Sequence, residues 1–216
     1  MPILNIQGCI SKLNNSEIGV VASINAEISE KLERWQVTEC EIRFNDGRTI
    51  SADQRKKIYA TFNDISIWSG HMPDEIKAHM KYFFIAKTGC DYFSLSDVDM
   101  TTAKEFLEYL IEFCIDNDIP CKDSLLDRTP DIARYVYYCL MSKRCAICGQ
   151  KSDLHHVDHV QSDRKTAHHL GLRAMPLCRM HHGEYHSMGE TAFNEKYHIF
   201  AVKIDKEICK LYKLKE

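Results

Sequence analysis

Long apolar runs are missing from this chain. No stretch of about eighteen hydrophobic residues occurs in it, so no membrane-spanning helix is expected. Proline and glycine are scarce, at 5 and 9 of 216 residues, which excludes collagen-like and low-complexity architectures. The opening segment, MPILNIQGCI, lacks a basic region followed by an apolar core, so no signal peptide is expected. Strong charge of one sign is absent too. The net charge of -3 gives the chain as a whole no pull toward nucleic acid. Hydrophobic residues at 44% and charged residues at 27% are ordinary for a globular chain of one large or two small domains.

Two residue types are abundant: 10 Cys and 11 His. Their placement is uneven, for 8 of the His lie between His155 and His186. Without a secretion signal, the cysteines read as reduced thiols or metal ligands, not as a disulfide framework. Cys114 and Cys139 sit inside apolar helical patterns and read as small core residues. Charge divides as well. Residues 1–130 carry 14 basic and 21 acidic side chains, net -7, whereas residues 131–216 carry 14 and 10, net +4. The basic segment coincides with the His/Cys cluster, so the overall charge is a poor guide to partners.

The organisation reads as α+β. Short strands are expected at Ile3–Ile6, at Gly19–Ile24 and at Val37–Phe44, the last ending in the turn signal Asn45-Asp46-Gly47. Helices follow. Ser51 is a plausible N-cap for one through about Asp64. Pro73 opens a second, Asp74–Lys87, which stops at Gly89. Asp99 or Thr101 caps a third, with Ala103, Phe106, Leu107, Leu110, Ile111 and Cys114 at helical spacing. Pro120 closes it. A fourth spans about Pro130–Met141. The expected division is a helical part with a small sheet over 1–142 and a metal-stabilised part over 143–216.

In the second part, Cys145-Ala-Ile-Cys148-Gly149 has the spacing of a zinc knuckle. A matching pair, Cys178-Arg-Met-His181, lies downstream. Together they make a Cys3His set, a closed structural zinc site with no open position for chemistry. A helix starting near Cys178 places His182 and His186 on one face, four residues apart, where both can serve one metal. His181 points about 100° away around that helix, so one helix start serves two metals.

Leu154-His155-His156, Leu177-Cys178-Arg-Met-His181-His182 and His186 resemble the HNH endonuclease family, the ββα-metal or His-Me finger nucleases. The likeness covers about Arg144–Ile199. It implies a zinc-stabilised ββα-metal domain. His156 would be the general base. His155, His182 and His186 would hold a catalytic divalent cation (Mg2+, Mn2+, Ni2+ or Zn2+), and cleavage would leave a 5′ phosphate and a 3′ hydroxyl. The residue types suit this: a neutral His titrates near working pH, and a cation stabilises charge at phosphorus. Two features depart from the family pattern. Its central Asn should fall near residue 173, where Arg173 stands, as a DNA contact or a solvated side chain. The pair Asp158-His159 offers a second reading of the strand motif, with Asp158 as ligand and His159 as base. Arg164 and Lys165 are candidates for phosphate contact, and His168 and His169 read as exposed loop histidines.

Residues 47–120 resemble the NinB/Orf recombination proteins of lambdoid phages, through Arg48–Ala60, Asp64–Ser66, Phe93–Asp97 and Glu105–Phe113. That likeness implies single-stranded DNA binding, with Gln54, Arg55, Lys56 and Tyr59 as first candidates for contact. A solvated helix face at Arg55–Lys57 is the plain alternative. The leading expectation is a metal-dependent DNA endonuclease of phage recombination or replication, located in the host cytoplasm. Its partners would be single-stranded or branched DNA and host recombination proteins. The alternatives are a non-catalytic zinc-containing DNA-binding accessory protein and an adaptor for host recombination proteins. Neither needs His155, His156, His182 and His186, so their presence favours the enzyme.

Overall fold

The computed structural model describes residues 8–12, 18–22, 26–34, 47–158 and 167–215. The chain divides into two compact units, one of residues 1–48 with 85–92, the other of residues 49–84 with 93–216. In the first, β1 (Gly8–Lys12) and β2 (Ile18–Ala22) form an antiparallel hairpin, followed by α1 (Ala26–Arg34). The strand expected at Gly19–Ile24 corresponds to β2. Those at Ile3–Ile6 and Val37–Phe44 lie outside the described residues.

The helices of the second unit start where side chains satisfy their open N–H groups. α2 (Ala52–Ser69) has a capping box: Ser51 accepts from the Gln54 N–H, and Gln54 accepts from the Ser51 N–H. It runs past the expected end at Asp64 to Gly70, whose φ of 76° supplies the left-handed stop. α3 (Pro73–Thr88) begins on proline, as expected. α4 (Met100–Asp116) is capped by Asp99, and α6 (Ile132–Met141) by Asp131; the short α5 (Leu125–Arg128) lies between them. Burial of the apolar faces follows from the 3.6-residue period. Phe106, fully buried on α4, meets Phe62 of α2, Phe84 of α3 and Phe93 at centroid distances of 5.9, 5.1 and 5.3 Å.

Below that core lies a buried ion pair. Arg128 Nη2 sits 2.6 Å from Asp64, with both side chains about 95% buried, and Arg128 Nη1 donates to Thr61 Oγ1 at 3.1 Å. A lone buried carboxylate costs far more than the pair contributes. Arg128→Ala is therefore expected to destabilise the protein by about 3–5 kcal/mol in urea unfolding. A loss below about 1 kcal/mol, the range of exposed pairs, would contradict the burial.

The remaining elements build the site. β3 (Asp153–His156), β4 (Arg173–Leu177) and β5 (Val202–Lys203) form an antiparallel sheet in the order β3-β4-β5, with His155 opposite Met175 and His156 opposite Ala174. α7 (Arg179–Met188), α8 (Glu190–Tyr197) and α9 (Lys206–Tyr212) complete it. Residue 142, the expected boundary, falls inside the second unit. There α6 packs against α4 and also against β4, β5 and α9.

Candidate metal centres

The first centre forms where α6 runs into the knuckle. Gly149, at φ 69°, lets the chain turn so that its N–H reaches the Cys145 carbonyl at 2.8 Å, and the Cys145 N–H reaches Gln150. The Ala146 N–H then bonds the Pro176 carbonyl of β4, while the buried Tyr135 hydroxyl of α6 donates to the Ala146 carbonyl at 3.1 Å. These bonds bring Cys145 and Cys148 to the start of α7, where Cys178 is the N-cap and His181 lies in the first turn.

The four ligand atoms fit one tetrahedral cation. With Zn–S of about 2.3 Å and Zn–N of about 2.05 Å, tetrahedral angles require about 3.7 Å between sulfurs and 3.5 Å between sulfur and nitrogen. Cys148 and Cys178 sulfurs are 3.7 Å apart, Cys145 Sγ lies 3.5 Å from His181 Nδ1, and Cys178 Sγ lies 3.2 Å from it. Electrostatics favour the ligand forms. Burial alone would raise the Cys178 thiol, but the N–H groups of His181 and Met180 and the neighbouring thiols more than offset it and lower its pKa. Burial holds His181 below the usual histidine range, in its neutral form.

The second centre lies on the same helix, one face away. His155 ends β3 facing α7 and is buried. Its ring meets those of His182 and His186 at 4.6 and 5.2 Å. His182 Nε2 and His186 Nε2 are 3.3 Å apart, as the four-residue spacing predicts, and one ligand nitrogen from each of the three histidines falls within 4.8 Å of the others. Exposure grades outward, from buried His155 to exposed His186, so one side of this set faces solvent. A chain of rings joins the two centres: His155–Tyr185 at 4.3 Å, Tyr185–Phe193 at 5.2 Å, Phe193–Tyr197 at 4.8 Å and Tyr197–His181 at 5.6 Å. Those contacts clamp α8 onto α7.

His156 is half-buried and shares a groove of about 440 Å³ with His182, Arg179, Tyr212 and Leu214. Its Nε2 lies 2.9 Å from Nδ1 of His169, which is fully buried. His169 is thus no exposed loop residue, unlike His168 beside it. The reason is anchoring: the His169 N–H bonds the Lys215 carbonyl at 3.0 Å, and the Gly171 N–H bonds that of Ile204 at 2.8 Å.

The other expected residues are placed as follows. Arg173 forks onto Asp158 at 2.7 and 2.9 Å and reaches Glu190 at 2.8 Å, which occupies the guanidinium that would grip a phosphate. The same hydrogen bonds hold the Asp158 carboxyl below its usual range. His159, Arg164 and Lys165 lie outside the described residues. The Gln54 side chain serves the α2 cap and donates to the Met100 carbonyl, and Arg55 donates to the Ser96 carbonyl at 2.7 Å. Lys56 and Tyr59 are exposed, Tyr59 taking a hydrogen bond from Lys77. Among the described residues, no helix is long and apolar enough to cross a membrane.

Arg179 and His169 escaped the sequence reading. Arg179 lay in plain view as the first residue after Cys178, but only the groove gives it a role. It is exposed on the groove wall, and among the described residues no carboxylate pairs with it.

Neither the curated proteins nor the solved structures contain a match to this chain. One family does match, over residues 24–215, and so through the helical region as well as both centres. With nearly nine-tenths of its length inside that match, the chain belongs to the family described as "Putative HNHc nuclease".

Proposed function

We propose that the protein is a metal-dependent DNA endonuclease whose reaction centre lies in residues 143–216. One observation carries the reading: the His155–His182–His186 set and His156 meet on one open groove, while the Cys3His set is closed and separate. A binding module needs the closed set alone. Three imidazoles leave coordination positions for a substrate oxygen, as catalytic sites do. A divalent cation held there would stabilise charge on the scissile phosphate and on the leaving oxygen.

His156 acts as general base. It takes one proton from the attacking water, whose oxygen forms the new bond to phosphorus. The bond from phosphorus to the 3′ oxygen breaks, and that oxygen leaves as a hydroxyl once protonated by solvent. The products are a 5′ phosphate and a 3′ hydroxyl. The Cys3His set holds zinc as a structural ion and fixes the start of α7, and with it His182.

Arg179 supplies the cationic wall for the substrate backbone. Arg179→Ala is expected to raise KM for DNA about tenfold and to flatten its salt dependence, with kcat changed less. An unchanged KM and salt slope would remove Arg179 from the binding surface. The wider reading places the enzyme in phage recombination, with Lys56 and Tyr59 contacting single strands. Mobility shifts of the full chain test this part: loss of single-strand binding is expected for Lys56→Ala with Tyr59→Ala, and unchanged binding would discard it.

A further inference from the structure

We propose that His169 is the positioning residue for His156, fixing its tautomer and ring orientation. The inference rests on the nuclease reading above and adds a residue to it. The contact between His156 Nε2 and His169 Nδ1 is 2.9 Å, a full hydrogen bond between two ring nitrogens. The rings are tilted by 44°, with centroids 4.8 Å apart, so they meet edge-on through these nitrogens and do not stack.

One proton must lie between the two nitrogens. If His156 Nε2 carries it and His169 Nδ1 accepts, then Nδ1 of His156 is the basic nitrogen. The reverse arrangement makes His156 Nε2 the acceptor of His169's proton and removes that atom from chemistry. Only the first leaves His156 a base while the contact is made. Water then gives its proton to His156 Nδ1, the imidazole becomes a cation, and the Nε2–H bond to His169 strengthens as charge develops. The proton between the rings stays on His156 throughout, so His169 exchanges nothing with the substrate.

His169 is built for a fixed role. It is fully buried, its own N–H is tied to the Lys215 carbonyl, and its carbonyl accepts from the Leu172 N–H at 3.1 Å. A histidine buried only for packing has no need to aim Nδ1 at a half-buried ring on a neighbouring strand. Arg173, at the position where the family pattern expects an orienting Asn, is taken by Asp158 and Glu190. The orienting task thus falls to a residue four positions earlier in the chain.

Two measurements on the full, zinc-loaded protein test this. Long-range nitrogen–proton NMR on the wild type should show His156 protonated at Nε2, and His169→Leu should lose that single tautomer. Single-turnover cleavage of a duplex by His169→Leu should fall about 10–100-fold, with KM within about twofold of wild type. His169→Asn, which keeps an acceptor near the Nδ1 position, should recover most of the rate. Should His169→Leu not fold, the wild-type tautomer and His169→Asn still decide. A wild-type His156 protonated at Nδ1, or His169→Leu cleaving at the wild-type rate, overturns the proposal. Failure of the wild type to cleave at all would instead sink the nuclease reading, which the tautomer measurement does not depend on.

Discussion

His156→Ala is expected to lower the rate of plasmid nicking by about 10²–10⁴-fold, the contribution of a positioned general base. The residue lies at the end of β3, half-buried, beside the groove and outside both ligand sets. Its removal should therefore leave zinc content, melting temperature and DNA affinity close to wild type. That combination separates a base from a ligand. His155→Ala, by contrast, removes a buried member of the three-histidine set and should weaken divalent-cation binding along with the rate. Cleavage by His156→Ala at the wild-type rate would take the proton-accepting role away from this residue. The Asp158-His159 alternative would then return, although Asp158 is already held by Arg173.

The second large effect is structural. Cys178→Ser should lose the bound zinc and melt the region around α7 and α8. Structural zinc sites in small domains carry apparent binding free energies of about 10–16 kcal/mol, so their loss generally abolishes local order. Cys178 caps α7, and its partner His181 touches Tyr197 of α8, whose hydroxyl also donates to Glu184 of α7 at 2.9 Å. Loss of the cation should thus propagate along the rings to Tyr185 and His155. The helical core around Phe106 makes no use of these ligands and should keep its cooperative transition. Zinc analysis with thermal melting followed by circular dichroism reads both effects. A variant with wild-type zinc content and a single unchanged transition would show that Cys178 is no ligand.

Both ligand sets were legible in the sequence because their information is local. Two residues between Cys145 and Cys148, two between Cys178 and His181, and three between His182 and His186 fix geometry within one turn or one helix face. Helix starts were legible for the same reason, through Ser51, Pro73 and Asp99. What the sequence hid is long-range. His169 meets His156 only because the chain before β4 is stapled to Ile204 and Lys215, and no pattern near His169 announces that. The groove likewise combines β3 with Arg179 of α7 and with Tyr212 and Leu214 from the end of the chain. Exposed charge misled in the other direction. Gln54, Arg55 and Arg173 looked available for DNA, yet a helix cap, a backbone carbonyl and two carboxylates occupy them. The end of α2 was placed early because Gly70, not the last charged residue, stops it.

The central claim is that the three-histidine set and His156 form one reaction centre for phosphodiester hydrolysis. Nicking of supercoiled plasmid tests it most directly, using zinc-loaded protein stripped of loosely bound cations and then given Mg2+, Mn2+ or Ni2+. The account predicts nicking that requires the added ion, leaves 5′ phosphates, and disappears in His155→Ala and His156→Ala while the fold persists. Folded, zinc-loaded wild-type protein that nicks no DNA with any of these ions would contradict it.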